Sequence, residues 1–414
     1  MILLLASGAF ILLGWRALEA AGIEMAAGSD RILTQFVVVG VLGHLGLRFV
    51  APFAASQPYA IALFLTAIGL VFVSRLAPAL AQDQANWVTL GVVLMLVTAG
   101  LSSRYRVLRR YKYTAALAGV GLLLLTGIFG TTINGARLWI VIFGQSVQTT
   151  ELIKVFLLLF LAGYLADEAD VLSAPRIRFA GRTYSTLPYL IPLALTLLLA
   201  VMALALLRDL GSIALLLLLA MAMLYVATGK VRFVVAGILL LGLTAIAGYA
   251  IFDHVQARVD TWLDPYADAA GAGYQSLQSL YAIQAGGVTG EGLGLGQPTV
   301  IPAATTDYVF SAIGEELGLV GALGVIMLYI SLLFAGLRVA LSVRDDYGRL
   351  VASCTALLIT IQMAVIIAGN LRLIPTTGIT LPFVSYGGSS LIVNFVLIGL
   401  LLGISNDAQR RSQE

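Results

Sequence analysis

Apolar runs of 16 to 20 residues recur along this chain from one end to the other. About 20 consecutive apolar residues form a helix that crosses the ~30 Å hydrocarbon core of a bilayer. In lipid every backbone polar group must be satisfied, which leaves helices and closed barrels. A barrel would show alternation in segments of about ten residues, whereas these runs are continuously apolar. The chain therefore reads as an all-α, polytopic integral membrane protein. Twelve spans are expected, at roughly 2–15, 32–50, 59–78, 87–103, 114–130, 151–168, 187–206, 211–229, 233–252, 307–337, 350–369 and 388–405. The first is short, and the tenth is long enough to tilt or to begin beyond the membrane. Composition agrees: 60% of the 414 residues are hydrophobic and only 11% are charged.

Charge placement orients the spans. With Arg410 and Arg411 in the cytoplasm, twelve spans put the N-terminus there too. Two thirds of the 24 basic residues then lie on the cytoplasmic side, and two thirds of the 21 carboxylates lie opposite. That is the positive-inside pattern. The run RYRVLRRYKY at 104–113 sets five cations and three tyrosines at the cytoplasmic surface. It suits orientation and anionic headgroups, and the chain shows no nucleic-acid footprint. Cys354 is single and sits in an apolar run, so no intrachain disulfide forms. Two His and one Cys argue against structural zinc. The 1–15 run has no Lys or Arg before it and no small-residue cleavage motif, so it reads as a retained helix.

On that orientation the chemistry falls outside the cytoplasm. The largest loop, 253–306, contains GGVTGEGLGLG at 286–296. It follows no strand, which excludes a dinucleotide fingerprint; its glycines suit close approach to a neighbour. The 131–150 loop, the Arg208-Asp209 turn and the 370–390 segment share that side. The last collects Pro375, Gly378, Pro382, Gly387 and Gly388. Prolines remove backbone donors, and such backbone is tolerated at membrane depth only where it is buried or lines a cavity. The segment is expected to line a site. Asp307 follows Thr305 and Thr306 in the first turn of a helix, where a carboxylate is either a cap or a functional group. Glu151 and Lys154 read as an i,i+3 ion pair or as charges facing a cavity. Arg208 and Asp209 open a span and read equally as a cap. Glu315 and Glu316 require partners inside a membrane protein, and a transporter would use them as a proton path.

Several motifs carry a resemblance. Arg372-Leu373-Ile374-Pro375, Thr377-Gly378 and LPFVSYGGSS at 381–390 resemble the signature of the SEDS family, the shape, elongation, division and sporulation proteins. Ile366 stands where that family often has Asn. Asp307 with Tyr308, followed by Glu315-Glu316-Leu317-Gly318, is similar to the family's TDF and EELG elements, with Thr305 in place of a frequent His. NGARLWI at 134–140 resembles NGARRW, with Leu138 replacing an Arg. QTTELIK at 148–154 resembles QPSELAK, with Thr149 replacing Pro. RDLGS at 208–212 resembles PDLGT. Arg258, the Trp262-Leu263-Asp264-Pro265 run and the stretch from Gly273 to Ser279 resemble the family's loop ahead of its essential Asp.

The resemblance covers roughly 59–406, with ten spans. It leaves 1–58 as two extra helices and 407–414 as a cytoplasmic tail. It implies a peptidoglycan glycosyltransferase that polymerises lipid II at the outer membrane face during elongation or division. Asp307 would be its general base. Arg137 would be the first cation for the lipid pyrophosphate, with Arg208 and Arg372 compensating for the absent second Arg. Trp139, Gln148, Glu151, Lys154, Asp209, Pro375, Thr377, Ser385, Gly387 and Ser389 would line the substrate site. Gln275, Gln278 and Ser279 would meet sugar hydroxyls. The implied partners are lipid II, the growing glycan strand, a class B penicillin-binding protein and membrane lipids. A divalent cation, Mg or Mn, is associated with the family's activity, and no nucleotide or organic cofactor is expected. The alternatives are a flippase or transporter for lipid-linked precursor, and a non-catalytic scaffold of the cell-wall machinery.

Overall fold

The computed structural model describes residues 2–23, 28–133, 136–142, 144–173, 177–179, 182–184 and 187–413. Asn134 and Gly135 of the NGARLWI element, and Arg176 of the basic loop, lie outside them. Fourteen α-helices are described: α1 Ile2–Ala20, α2 Ser29–Val50, α3 Gln57–Leu76, α4 Ala81–Leu101, α5 Lys112–Phe129, α6 Thr149–Ser173 and α7 Ile191–Leu206. They continue as α8 Leu210–Thr228, α9 Val231–Ile251, α10 Asp253–Leu263, α11 Tyr274–Gly286, α12 Val309–Ser342, α13 Asp346–Asn370 and α14 Gly388–Gln413. All but α10 and α11 are long and apolar enough to cross a membrane, giving the twelve spans expected from the runs. The chain is a multi-pass membrane protein.

The apolar surface is divided unevenly. α3 is buried along nearly its whole length, from Pro58 to Ser74. α13 and α14 are also mostly buried, and their residues enter both hydrophobic cores. One core gathers α1–α4 around α3; the other gathers α5–α8. A helix that is apolar all round belongs inside a bundle or against lipid. α9 takes the second place, since Phe233 is the one buried residue along it.

α12 explains the long tenth run. A helix of 34 residues would extend about 51 Å, well beyond a bilayer core. Gly318 breaks it at φ 63°, a backbone shape that costs glycine no side-chain clash. A short segment, 309–317, thus precedes a membrane-length one.

Three stretches carry more structure than a loop. The 131–148 region forms a three-stranded antiparallel sheet of β1 Thr131–Ile133, β2 Ala136–Ile142 and β3 Gln145–Gln148. Its β-branched and aromatic residues suit a pleated surface. The 253–306 region contains α10 and α11. At the opposite end of the bundle, the 104–113 run folds back on the protein's own carboxylates. Arg106 pairs with Asp345 at 3.0 Å and Asp407 at 2.8 Å. Arg109 and Lys112 both pair with Asp167. Arg104 and Arg110 remain exposed.

Candidate functional site

Asp307 lies two residues ahead of α12, in a cleft of about 240 Å³ between α10, α11, α13 and the 376–379 stretch. Asp307 is the one carboxylate lining it, and Arg258 of α10 the one cation. The two converge on Gly378. A β-carbon built there would lie 3.5 Å from Arg258 Nη2 and 3.8 Å from Asp307 Oδ2. Arg258 is fixed by donating from Nη1 to the Thr376 carbonyl at 2.8 Å. Burial pushes the Asp307 carboxyl up to about 6, while the Arg258 charge and a Thr306 hydrogen bond pull it down. That balance suits a group that must both hold and release a proton near neutrality.

Asp307 is held through its backbone. Asn370, the last residue of α13, donates from Nδ2 to the Asp307 carbonyl at 2.8 Å, and its Oδ1 accepts from Ser311 at 3.1 Å. Ser279 of α11 shares a 2.6 Å hydrogen bond with Ser311 and donates to the Asn370 carbonyl at 3.0 Å. Ser279 is fully buried, so its hydroxyl serves this scaffold. Gln275 and Thr377 line the cleft itself. Gln278 is half-buried on the same helix, without a place in the lining.

The 376–380 stretch meets a second polar group at Thr380. Lys154 pairs with Glu151 at 2.6 Å and donates to Gln362 Oε1 at 2.8 Å. Gln362 in turn donates to the Thr380 carbonyl at 2.7 Å. Asp209 caps α8, accepting from the Ser212 amide at 2.9 Å and hydroxyl at 2.7 Å. Burial raises the Asp209 carboxyl; the Ser212 bonds oppose this, and the Glu151 charge adds to it. Gly211, just inside α8, abuts Thr377 and Ile379. One irregular stretch therefore lines the Asp307–Arg258 cleft at 376–379, meets the Glu151–Lys154–Gln362 set at Thr380, and abuts the Asp209-capped α8 at Thr377 and Ile379.

The remaining residues serve other contacts. Arg372, at φ 57°, donates from Nε to the Trp262 carbonyl at 2.8 Å and from Nη2 to the Leu263 carbonyl at 2.7 Å. Trp262 Nε1 returns a bond to the Arg372 carbonyl at 3.0 Å, so the pair fastens α10 to the end of α13. Arg137 donates to the Gly127 carbonyl at 2.9 Å, from β2 back onto α5. Trp139 sits opposite Gln148 in the sheet. The Gln148 amide donates to Ser389 Oγ at 2.9 Å, joining β3 to the start of α14. Ser385 accepts from the Leu381 amide at 2.8 Å and donates to the Thr306 carbonyl. The Gly387 amide donates to Gln84 Oε1 at 3.4 Å, and Pro375 is half-buried. Arg208 is exposed at φ 64°. The structure thus brings Asp307, Gln275 and Thr377 into one cleft, and Glu151, Lys154 and Asp209 into a separate group linked to the same stretch through Gln362 and Gly211. Arg137 and Arg372 are outside the lining. Arg258 and Asn370 are the additions that site selection from sequence lacked. A cation within the resembling loop was the available signal for Arg258, and the first residue of the irregular segment was the signal for Asn370.

No three His, Cys, Asp or Glu side chains gather as a metal site among the described residues. Asp307 faces a guanidinium, which does not suit a resident cation.

Comparison with known proteins agrees with this architecture. Residues 55–410 match the FtsW/RodA/SpoVE family, described as cell cycle protein. The peptidoglycan glycosyltransferase RodA of Mycobacterium tuberculosis is 36% identical over 381 residues, covering 89% of this chain and 81% of that one. The probable peptidoglycan glycosyltransferase FtsW of Geobacter sulfurreducens is 34% identical over 360 residues, covering 83% and 93%. Among solved structures, a chain from a work on the structural coordination of polymerization and crosslinking by a peptidoglycan synthase complex superimposes with a TM-score of 0.71. It is 30% identical and the match covers 86% of this chain and 98% of that one. The rod shape determining protein RodA of Thermus thermophilus gives 0.62 at 28% identity, covering 86% and 97%. With its motifs, its twelve spans and a match across most of its length, this chain belongs to the FtsW/RodA/SpoVE family.

Proposed function

We infer that this chain is a peptidoglycan glycosyltransferase, as its RodA and FtsW relatives are named. Its substrate is the lipid-linked disaccharide lipid II, polymerised into glycan strands for elongation or division. The observation that carries the mechanism is the cleft in which a single carboxylate, Asp307, faces a single guanidinium, Arg258. A sugar hydroxyl of one substrate gives its proton to Asp307 as its oxygen attacks the anomeric carbon of the other. The bond from that carbon to the lipid pyrophosphate breaks, and the pyrophosphate leaves with the electron pair. The carboxylate also stabilises positive charge developing on the sugar. Arg258 supplies cationic charge beside the base, and Lys154 supplies it in the group that meets Thr380. No step here depends on a divalent cation.

Both termini are cytoplasmic and the Asp307 cleft faces the outer side of the membrane in this reading, which the arginine distribution supports. The partner is a class B penicillin-binding protein that crosslinks the new strands; the synthase complex among the structural relatives supports such an arrangement.

The test is glycan formation from lipid II by the purified full-length chain reconstituted with that partner. Strands longer than the disaccharide support the reading. Movement of lipid II across vesicles with no polymer would replace it with a transporter.

A further inference from the structure

The first helix ahead of the family match, α1, touches the structure that supports Asp307. α1 packs along α3: a β-carbon built on Gly14 would lie 3.1 Å from Val71 and 3.6 Å from Leu293. Leu293 belongs to the glycine-rich 286–296 loop. One turn further on, Leu18 at the C-terminal end of α1, with Ala21 and Ile23 just past it, closes over Gly294. A β-carbon built on Gly294 would meet Ala21 Cβ at 2.8 Å, Leu18 Cδ2 at 3.3 Å and Ile23 Cγ1 at 3.4 Å. Gly294 is at φ 84°, and Leu18 is fully buried.

That loop is fastened to the short first segment of α12. The Glu291 amide donates to the Glu315 carbonyl and the Gly292 amide to the Glu316 carbonyl, each at 3.0 Å. The Gln297 amide donates to Glu315 Oε1 at 2.7 Å. Arg75 of α3 holds both parties, with Nε on Glu316 Oε1 and Nη2 on the Gly296 carbonyl, each at 3.0 Å. The 309–317 segment is cut from the rest of α12 at Gly318, so its position is set by these contacts and by Asn370. Asp307 stands two residues before it.

We propose that α1 is a positioning element of the enzyme: it seats the 286–296 loop, and through Glu315 and Glu316 the helix segment behind Asp307. This rests on the glycosyltransferase reading above. A packed interface resists small displacements, and misplacement of a catalytic group by about 1 Å can cost on the order of 100-fold in rate. The contact acts on catalysis rather than on substrate affinity, because none of α1 lines the cleft.

The experiment is a double-mutant cycle in the full-length chain with its partner, read as polymerisation kinetics and normalised to monodisperse protein. Gly294→Ala adds a methyl against Ala21; Ala21→Gly removes the atom it meets. The strain of alanine at Gly294's backbone shape is common to the single and double variants and cancels in their comparison. Gly294→Ala is expected to lower kcat about tenfold with KM for lipid II changed less than about twofold. Ala21→Gly alone should stay near wild type, and the double variant should regain about fivefold over Gly294→Ala. A single variant with unchanged kcat, or a double variant no better than the single, overturns the proposal. Should Gly294→Ala not fold, Ala21→Val presses the same gap from the turn that ends α1, and wild-type kcat in that variant overturns it equally. Wild-type protein runs in the same assay. Its failure to polymerise counts against the proposed function, whereas an absent cycle effect in active protein counts against this inference alone.

Discussion

Asn370 donates from Nδ2 to the main-chain carbonyl of Asp307 at 2.8 Å. The same nitrogen also donates to the Ile366 carbonyl at 3.1 Å, and Oδ1 accepts from Ser311 at 3.1 Å. One side-chain amide thus ties the end of α13, the first turn of α12 and the proposed base together. It fixes where the Asp307 backbone lies and leaves the carboxylate open to the cleft.

Asn370→Ala removes both functions of that amide. A buried hydrogen-bonding group left without its partner costs about 1–3 kcal/mol. The loosened Asp307 is expected to lower kcat by about 10- to 100-fold, with a smaller change in KM. Steady-state polymerisation by the variant checks this.

The Asp307 carboxyl, raised to about 6 mainly by burial, sets a pH dependence. A general base works only when ionised, so the rate should fall about tenfold per pH unit below about 6. Arg258 lowers this carboxyl, so Arg258→Gln should move the acid limb to higher pH. Stability takes the opposite sign. A carboxyl whose folded value lies above its unfolded one, near 4, contributes stability that is full below about pH 4 and lost as pH rises through about 6. Asp307→Asn should therefore unfold at a temperature no lower than wild type at neutral pH. Rate–pH profiles and thermal melts test the two signs separately.

Arg75 and Glu316 form a buried ion pair at 3.0 Å, their side chains 10% and 0% exposed. Removing one partner strands the other charge, so Arg75→Met or Glu316→Gln should cost about 3–5 kcal/mol. Thermal unfolding in detergent measures this. Glu315 is likewise engaged, accepting from the Gln297 amide. A transporter would instead require these carboxylates to exchange protons, and vesicle assays of the two variants should show no proton-coupled precursor movement to lose.

At the far end of the bundle, Asp345 caps α13 through the Gly348 amide at 2.9 Å and accepts from Tyr105 and Arg106. Burial opposes its ionisation, but the Tyr105 bond, the cap and Arg106 together hold its carboxyl below the usual range. Its contribution is present at neutral pH and fades as pH falls through that lowered value. Asp345→Ala should cost about 1–2 kcal/mol, a cap plus a partly screened pair. The loss should shrink in melts at acid pH.

The spans were legible because a bilayer demands continuous apolar length, and the twelve runs state it directly. The break in the tenth run was less legible, since Gly318 is one of 43 glycines and what distinguishes it is a φ of 63° inside an otherwise helical run. Asp307 stood out from its helix-start context and its resemblance. The partners of that residue did not, because Asn370 and Arg258 reach it across 63 and 49 positions of sequence with no periodic signal. Arg372 illustrates the same limit: a cation in the irregular segment looked suited to pyrophosphate, yet its guanidinium is taken up by the Trp262 and Leu263 carbonyls. The partners of Glu315 and Glu316 were likewise out of reach until the loop was folded onto α12. The basic 104–113 run, too, reads as surface charge until Asp167 of α6, the α13 cap Asp345 and Asp407 of α14 meet it.

The most direct measurement is glycan polymerisation from lipid II by wild-type and Asp307→Asn protein, each purified with the penicillin-binding partner. The substitution keeps the shape of the side chain and removes its charge and its capacity to take a proton. Strands from wild type and none from the Asn variant are the predicted result. Equal polymer from both would contradict the assignment of Asp307 as the base.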